Sequence, residues 1–229
     1  KNKENPQEIA GFFCLDQHIL LYCSIIERYK NIMYFNKSIK IGQNYIGPNK
    51  QTMFIAEIGS NFDGSLKKAK KLIYAAKEAG ADVAKFQHYS ADTLVSDMGF
   101  KKLKTNSTHQ KKWKGSVYET YQKASLNPEW TKELYDTCKK AKIIFMTSAY
   151  SIKLADYVSP FLSAFKIGSG DLTWHDELKH IAKKKKPILL ATGASNLKEV
   201  IAAVRVISKF NKNLVLMQCN TNYTNSPEN

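Results

Sequence analysis

From Met53 onward the apolar positions of the chain switch between two periods, and each switch marks a new element. Short apolar runs at Met53–Glu57, Val83–Gln87, Ile143–Thr147, Ala164–Ile167, Pro187–Leu190 and Leu214–Gln218 read as buried strands. Between them, apolar residues recur at helical spacing. In Ser65–Gly80 the stripe is Leu66, Ala69, Leu72, Ile73, Ala76 and Ala79, with Gly80 as a stop. Further helices are predicted over Pro128–Ala141, Ile152–Val158, His175–Lys184 and Asn196–Phe210. The last carries Leu197, Val200, Ile201, Val204 and Ile207 on one face, with Asn196 as its N-cap. His88 to Leu126 is polar and reads as a long loop.

Strict alternation of strand and helix implies a parallel sheet and an α/β fold. Two arrangements fit. A doubly wound sheet needs a glycine-rich dinucleotide turn after the first strand, and Gly59-Ser-Asn-Phe-Asp-Gly64 is not one. A (β/α)8 TIM barrel has eight units over about 250 residues. The pattern here supplies about six βα units, so the barrel is expected to be incomplete in this chain. Residues 36–229 form the partial barrel domain, with 38–50 as a small hairpin leading into it. Residues 1–35 are an N-terminal extension of unknown role, with a helical pattern from Asp16 to Tyr29.

Charge changes this picture little. The net charge is +15, yet Arg28 and Arg205 are the only arginines, and the lysines are spread over helix surfaces. Nucleic-acid interfaces favour the bidentate arginine fork, so no nucleic-acid partner is expected. The apolar stretch Ile19–Ile26 is too short to span a bilayer and lacks the frame of a signal peptide, so no membrane partner is expected either. Four cysteines, Cys14, Cys23, Cys138 and Cys219, show no CxxC pair. With Cys138 in a helix and Cys219 in a strand they read as buried free thiols, and a cytoplasmic location is expected. The chain starts at Lys1 and stops at Asn229 within a motif, so it is expected to be a fragment. An open six-stranded remnant with unpaired edges is expected to be poorly soluble.

The chemistry lies where strands end. Side chains alternate across a strand, so Ile55 and Glu57 share a face, as do Lys85 and Gln87. With Phe86, Phe165 and Ile167 turned toward the helices, Lys85, Gln87 and Lys166 point to the interior. In α/β folds the carboxyl ends of the strands carry the active site. A buried ammonium needs an anion. That anion is a structural partner, Glu57 or Asp171, or an incoming phosphate or carboxylate. The turns Gly168-Ser-Gly-Asp171 and Ala191-Thr-Gly-Ala-Ser195 can aim backbone N–H groups at the same anion, or they can simply be tight turns. His88 falls just past the second strand. The five histidines form no HExxH or HxxxH pair, so no metal ligands are expected in this chain.

Five ordered motifs carry a resemblance. They are Phe54-Ile-Ala-Glu-Ile-Gly-Ser-Asn61, Asp63-Gly64, Ala79-Gly-Ala-Asp-Val-Ala-Lys-Phe-Gln87, Phe165-Lys-Ile-Gly-Ser-Gly-Asp171 and Pro187-Ile-Leu-Leu-Ala-Thr-Gly193. Together, from about Lys40 to the end, the chain resembles the N-acetylneuraminate (sialic acid) synthase family. The resemblance implies a TIM-barrel transferase that condenses phosphoenolpyruvate with N-acetylmannosamine or a related amino sugar, giving a sialic-acid-type nonulosonic acid and phosphate. It implies a divalent metal, Mn2+ or Mg2+, in the full-length enzyme, with the ligands outside this chain. It also implies a homodimer when full length, and a C-terminal antifreeze-like domain that is absent here.

Carried over by position, Lys85, Lys166 and Ser169 resemble the phosphoenolpyruvate-binding residues, and Glu57 the catalytic glutamate near the reacting carbons. Asp171, Gln87, Asn106 and Tyr223 resemble sugar-facing positions. The chain departs from the pattern at Ala191, where some members carry serine, and at Gln218-Cys219, where His-Cys is frequent. Two other readings keep the barrel. One is an aldolase using Lys85 or Lys166 as a Schiff-base amine. The other is an inactive sugar-binding remnant of a synthase.

Overall fold

Strand and helix alternate in the order that the apolar periods set out. The computed structural model describes residues 35–102, 115–219 and 221. An antiparallel hairpin comes first, β1 (Ile39–Ile41) and β2 (Asn44–Ile46). Then follow β3 (Ile55–Gly59), α1 (Leu66–Glu78), β4 (Val83–His88), α2 (Ala91–Leu94), α3 (Asp97–Lys102) and α4 (Val117–Ala124). The chain continues through α5 (Thr131–Ala141), β5 (Ile144–Ala149), α6 (Ile152–Val158), β6 (Phe165–Ile167) and α7 (His175–Lys183). It finishes with β7 (Ile188–Ala191), α8 (Leu197–Ser208) and β8 (Leu214–Met217). The strands β3 to β8 are parallel and follow chain order, as expected of successive βα units. Among the described residues no helix is long and apolar enough to cross a membrane.

Two compact units are present, residues 54–162 and residues 35–53 together with 163–221. In the first, β4 pairs with β3 and β5, with Ala84 opposite Phe145 and Phe86 opposite Thr147. Partners in a parallel pair share a face. Phe86 stacks on Phe145, and Tyr135 of α5 meets Phe145 edge-on, so this face is the one the helices cover. Lys85 and Gln87 therefore lie on the opposite face. The stripe predicted for α1 packs through Ala69 and Ile73, both fully buried, and Leu134 of α5 is fully buried as well.

In the second unit β7 pairs with β6 and β8. The hairpin belongs here, with Ile39 and Ile41 buried. Three residues before it, Asn36 donates its backbone N–H to the Lys212 carbonyl at 2.9 Å and its side-chain amide to Asn213 Oδ1 at 2.6 Å. Asn196 caps α8 as expected, within a reciprocal capping box with Glu199.

The structure departs from the sequence expectations at three places. The stretch from His88 to Leu126 is not all loop, because it contains α2, α3 and α4. The overlooked signal was Ser116-x-x-Glu119, a capping box in which the Ser116 hydroxyl accepts the Glu119 N–H and the Glu119 carboxylate accepts the Ser116 N–H. His88 does not lie past the strand. It is the last residue of β4 and wholly buried on the helix-facing side, since β4 runs one residue further than its apolar run. Cys219 lies beyond β8, which stops at Met217, and is half-buried, whereas Cys138 is buried as expected and burial pushes its thiol up to about 12. The helical pattern predicted at Asp16–Tyr29 lies outside the described residues.

His88 joins three elements. Its Nε2 lies 2.8 Å from Thr131 Oγ1 of α5, and its Nδ1 lies 2.8 Å from Thr147 Oγ1 of β5. Thr131 spends its own hydrogen on the Pro128 carbonyl at 2.6 Å. The imidazole therefore donates from Nε2, and in the neutral form it accepts at Nδ1 from the Thr147 hydroxyl, which also lies 3.2 Å from the Ser148 carbonyl. Burial pushes its pKa from 6.5 down to about 4. The unfolded chain takes up a proton near pH 6.5 and the folded one only near pH 4. Stability from this group is therefore whole above pH 6.5 and lost as pH falls toward 4, by about 3 kcal/mol. Denaturant midpoints at pH 7 and pH 4.5 check this. The wild type is expected to lose stability between them, and His88→Phe, although weaker at pH 7, is expected to show a flatter pH dependence. An unchanged slope in the variant would remove His88 as the cause.

Candidate active site

The first group of site residues sits at the carboxyl ends of β3 and β4. Glu57 and Lys85 are register partners, which puts both side chains on the face turned away from the helices. A bulge between Glu57 and Gly59 bends β3 here. Gly59 holds φ 54°, a left-handed conformation that glycine takes without strain, and a Cβ there would stand 3.4 Å from Glu57 Oε1. The result is an ion pair of 2.5 Å between Lys85 Nζ and Glu57 Oε2. It is asymmetric: the lysine side chain is 8% exposed and the carboxylate 49%. The ammonium is thus buried beneath a carboxylate that water still reaches. Gln87 follows two residues on, half-buried on the same face as Lys85.

Beyond these strand ends Tyr89 is buried, with its hydroxyl 3.1 Å from Ser60 Oγ and its ring edge-on to Tyr121 and Tyr150. A cavity of about 640 Å³ opens beside it, walled by Tyr89, Ser90, Leu126, Ser151, Lys153 and Tyr157 among others.

The second group belongs to the other unit, at the carboxyl end of β6. Lys166 is half-buried and donates to the Ile167 carbonyl at 2.9 Å. The glycine turn predicted from sequence is a single 3-10 turn, Ser169–Asp171. Burial pushes the Asp171 carboxyl up to about 6, opposed by the positive charge of Lys166. Ser169 Oγ accepts the Gly193 N–H at 3.1 Å, which ties the turn after β6 to the turn after β7. Thr192 donates from its backbone N–H and its hydroxyl to the Met217 carbonyl, both at 3.0 Å, and so anchors the second turn to β8.

Of the predicted site residues, Glu57 and Lys85 are in direct contact, Gln87 shares their face, and Lys166, Ser169 and Asp171 share one strand end. Asn106 and Tyr223 lie outside the described residues. Sequence reasoning missed Glu177, and it singled out the turn of Gly193 without its contact to Ser169. Glu177, in the first turn of α7, is fully buried, and among the described residues neither carboxylate oxygen has a hydrogen-bond partner. Burial, with the Asp171 charge adding, pushes it up to about 8. The signal was present: the apolar stripe Leu178, Ile181, Ala182 continued back by one turn lands on Glu177.

In the first unit a buried ammonium, and in the second a lysine, a serine hydroxyl and N–H-bearing turns, are each groups that can meet an anionic oxygen. Among the described residues no three His, Cys, Asp or Glu side chains are grouped so as to hold a metal ion. These residues therefore do not fit the divalent cation that the resemblance implies.

Comparison with known proteins decides the family, because the NeuB family model matches residues 72–229. The chain belongs to the NeuB family. This NeuB-family chain is 37% identical over 181 residues to the N,N'-diacetyllegionaminic acid synthase of Campylobacter jejuni, covering 76% of this chain and 53% of that protein. Among solved structures it resembles the spore coat polysaccharide biosynthesis protein SpsE of Bacillus subtilis, with a TM-score of 0.68 at 31% identity, over 83% of this chain and 50% of that one. The N-acetylneuraminic acid synthetase of Leptospira borgpetersenii gives a TM-score of 0.71 at 21% identity, over 85% of this chain and 63% of that one. That likeness shows the fold, the α/β barrel type expected from the βα pattern. The chain spans about half the length of the curated relatives it matches.

Proposed function

We propose that this chain carries the phosphoenolpyruvate-binding part of a nonulosonic acid synthase, which condenses phosphoenolpyruvate with N-acetylmannosamine or a related amino sugar. The observation that carries the reading is Lys85, an ammonium buried at a strand's carboxyl end whose carboxylate partner is half in water. Such a pair is open to exchange. An incoming substrate anion takes the ammonium, and Glu57 moves into solvent or turns to the reacting carbons.

In this reading Lys85, Lys166 and Ser169 hold the carboxylate and phosphate of phosphoenolpyruvate. Its C3 attacks the aldehyde carbon of the open-chain sugar, forming the new carbon–carbon bond, and the aldehyde oxygen takes up a proton. Water adds to the cation left at C2 and gives one proton to Glu57, which replaces the proton the aldehyde oxygen took up. The C2–O bond to phosphate then breaks, C2 becomes the ketone carbon, and the remaining hydroxyl proton leaves with the phosphate. Asp171 and Gln87, with Asn106 and Tyr223, bind sugar hydroxyls. Membership of the NeuB family and the likeness to a legionaminic acid synthase support the synthase reading.

The test is phosphate release from phosphoenolpyruvate by the longest natural form of the protein, with divalent metal present, with and without N-acetylmannosamine or its diacetamido relatives. Release that depends on an amino sugar is the expected result. A folded protein that releases none with any of these sugars would leave the binding-remnant reading in its place.

A further inference from the structure

Gly193 is closed in on three sides. A Cβ at this position would stand 2.7 Å from Thr221 Cγ2, 3.0 Å from the Cys219 carbonyl oxygen and 3.0 Å from Ser169 Oγ. Its conformation needs no glycine, because its φ is not in the left-handed region, so space alone demands one here. What the missing side chain allows is the approach of the Gly193 N–H to Ser169 Oγ, at 3.1 Å.

A serine hydroxyl has one hydrogen to give and two lone pairs to receive with. With one lone pair taken by a fixed backbone N–H, the oxygen is committed as an acceptor on that side. Its own hydrogen is left for another partner, and a hydroxyl whose oxygen already accepts is a stronger donor. We propose that Gly193 is a positioning residue for anion binding: its N–H holds Ser169 as a donor, so the hydroxyl recognises an anionic oxygen rather than a donor group of a substrate. Ser169 takes the carboxylate or phosphate oxygen, and Gly193 never touches it. The proposal deepens the reading of the site given above and rests on Ser169 facing the substrate anion.

The turn around Gly193 is built to hold that N–H in place. Thr192 is fastened to the Met217 carbonyl by both its N–H and its hydroxyl, and the Ser195 hydroxyl returns to the Gly193 carbonyl at 3.3 Å. Ala194 takes the left-handed conformation, φ 54°, a strained choice for a residue with a Cβ that the surrounding bonds enforce. The amide is therefore preset and pays no reorganisation when the anion arrives.

Titration calorimetry on the longest natural form of the protein, with phosphoenolpyruvate and separately with inorganic phosphate, tests this. Three variants are compared: Ser169→Ala, Gly193→Ala in a Thr221→Ser background, and the combination. Thr221→Ser removes the methyl that stands nearest the new Cβ, the one contact under 3.0 Å. Each single change is expected to weaken phosphoenolpyruvate roughly tenfold, the size of one lost hydrogen bond to a charged group. The combination is expected to be no weaker than Ser169→Ala alone, because both act through one hydroxyl. In the steady state the loss should appear in KM with kcat nearly kept. A merely structural glycine would instead lower the melting temperature and kcat together.

Losses that multiply in the combined variant, or a glycine variant that binds as the Thr221→Ser parent does, would overturn the proposal and leave the proposed function standing. A wild type that binds phosphate but not phosphoenolpyruvate would remove the proposed function, and a weaker phosphate affinity in the glycine variant would still sustain the role of Gly193. A wild type that binds neither anion would overturn both.

Discussion

Lys85→Met is expected to lower kcat/KM for sugar-dependent phosphate release about a thousandfold while leaving the protein as stable as before, or more so. A buried charge-to-charge contact that loses one partner forfeits roughly 2–5 kcal/mol of binding, and a thousandfold is about 4 kcal/mol. The stability half of the prediction follows from the asymmetry of the pair. Lys85 is nearly buried and Glu57 is half exposed, so removing the lysine returns its partner to water at little cost. Methionine refills the volume without a charge. Removing the other member has the opposite sign, because Glu57→Gln strands the ammonium without an anion in a site that water scarcely reaches. Activity and melting temperature measured side by side separate the two roles. A Lys85→Met protein that melts several degrees lower and keeps its activity would make the pair a structural bridge.

Glu177→Leu is expected to stabilise the protein, and by an amount that grows with pH. The carboxyl is fully buried with no hydrogen-bond partner among the described residues, and its pKa is raised from 4.5 to about 8. A folded-state pKa above the unfolded one means that the folded chain binds the extra proton. The stabilising contribution is therefore fully present below pH 4.5 and is lost as pH rises toward 8, on the order of 4 kcal/mol across that window. Leucine has similar volume, no desolvation penalty, and a position in line with the stripe of Leu178, Ile181 and Ala182. Chemical denaturation at pH 5 and pH 8 reads the effect. The variant should gain about 2–4 kcal/mol over the wild type at pH 8 and clearly less at pH 5. Equal gains at both pH values would show that Glu177 does not titrate in this window. No gain at pH 8 would show that its oxygens are satisfied in solution.

The alternation of apolar periods was enough to place every strand of the parallel set within a few residues, because each buried strand is a continuous apolar run flanked by a helical stripe. The ends were less legible. β5 and β7 continue to Ala149 and Ala191, where small residues carry too little hydrophobic signal to count. The short helices α2 to α4 were read as loop because none has an apolar stripe long enough to show a period, and only the capping box at Ser116 marked one of them. Alternation along β4 and the motif order were enough to single out Lys85 and Glu57, since a charge at the end of a buried strand stands out against its neighbours. The crowding at Gly193 and the burial of Glu177 are illegible in the sequence for a common reason. The crowding at Gly193 comes from Ser169, Cys219 and Thr221, and Glu177 is buried by packing around α7, so the significance of both depends on residues far away in sequence.

The division of the chain into units also sets an order for its assembly. Residues 54–162 form one unbroken stretch, so all three of that unit's strands and the helices between them can find each other as soon as the chain has been made that far. The other unit is split around it. Asn36 waits for the carbonyl of Lys212 and the side chain of Asn213, partners synthesised only after the whole intervening unit has emerged. During that interval the hairpin before residue 54 lacks the later partners of its own unit, and closing that loop is easier once the intervening residues have already collapsed. The early hairpin is thus the last piece of its unit to be locked.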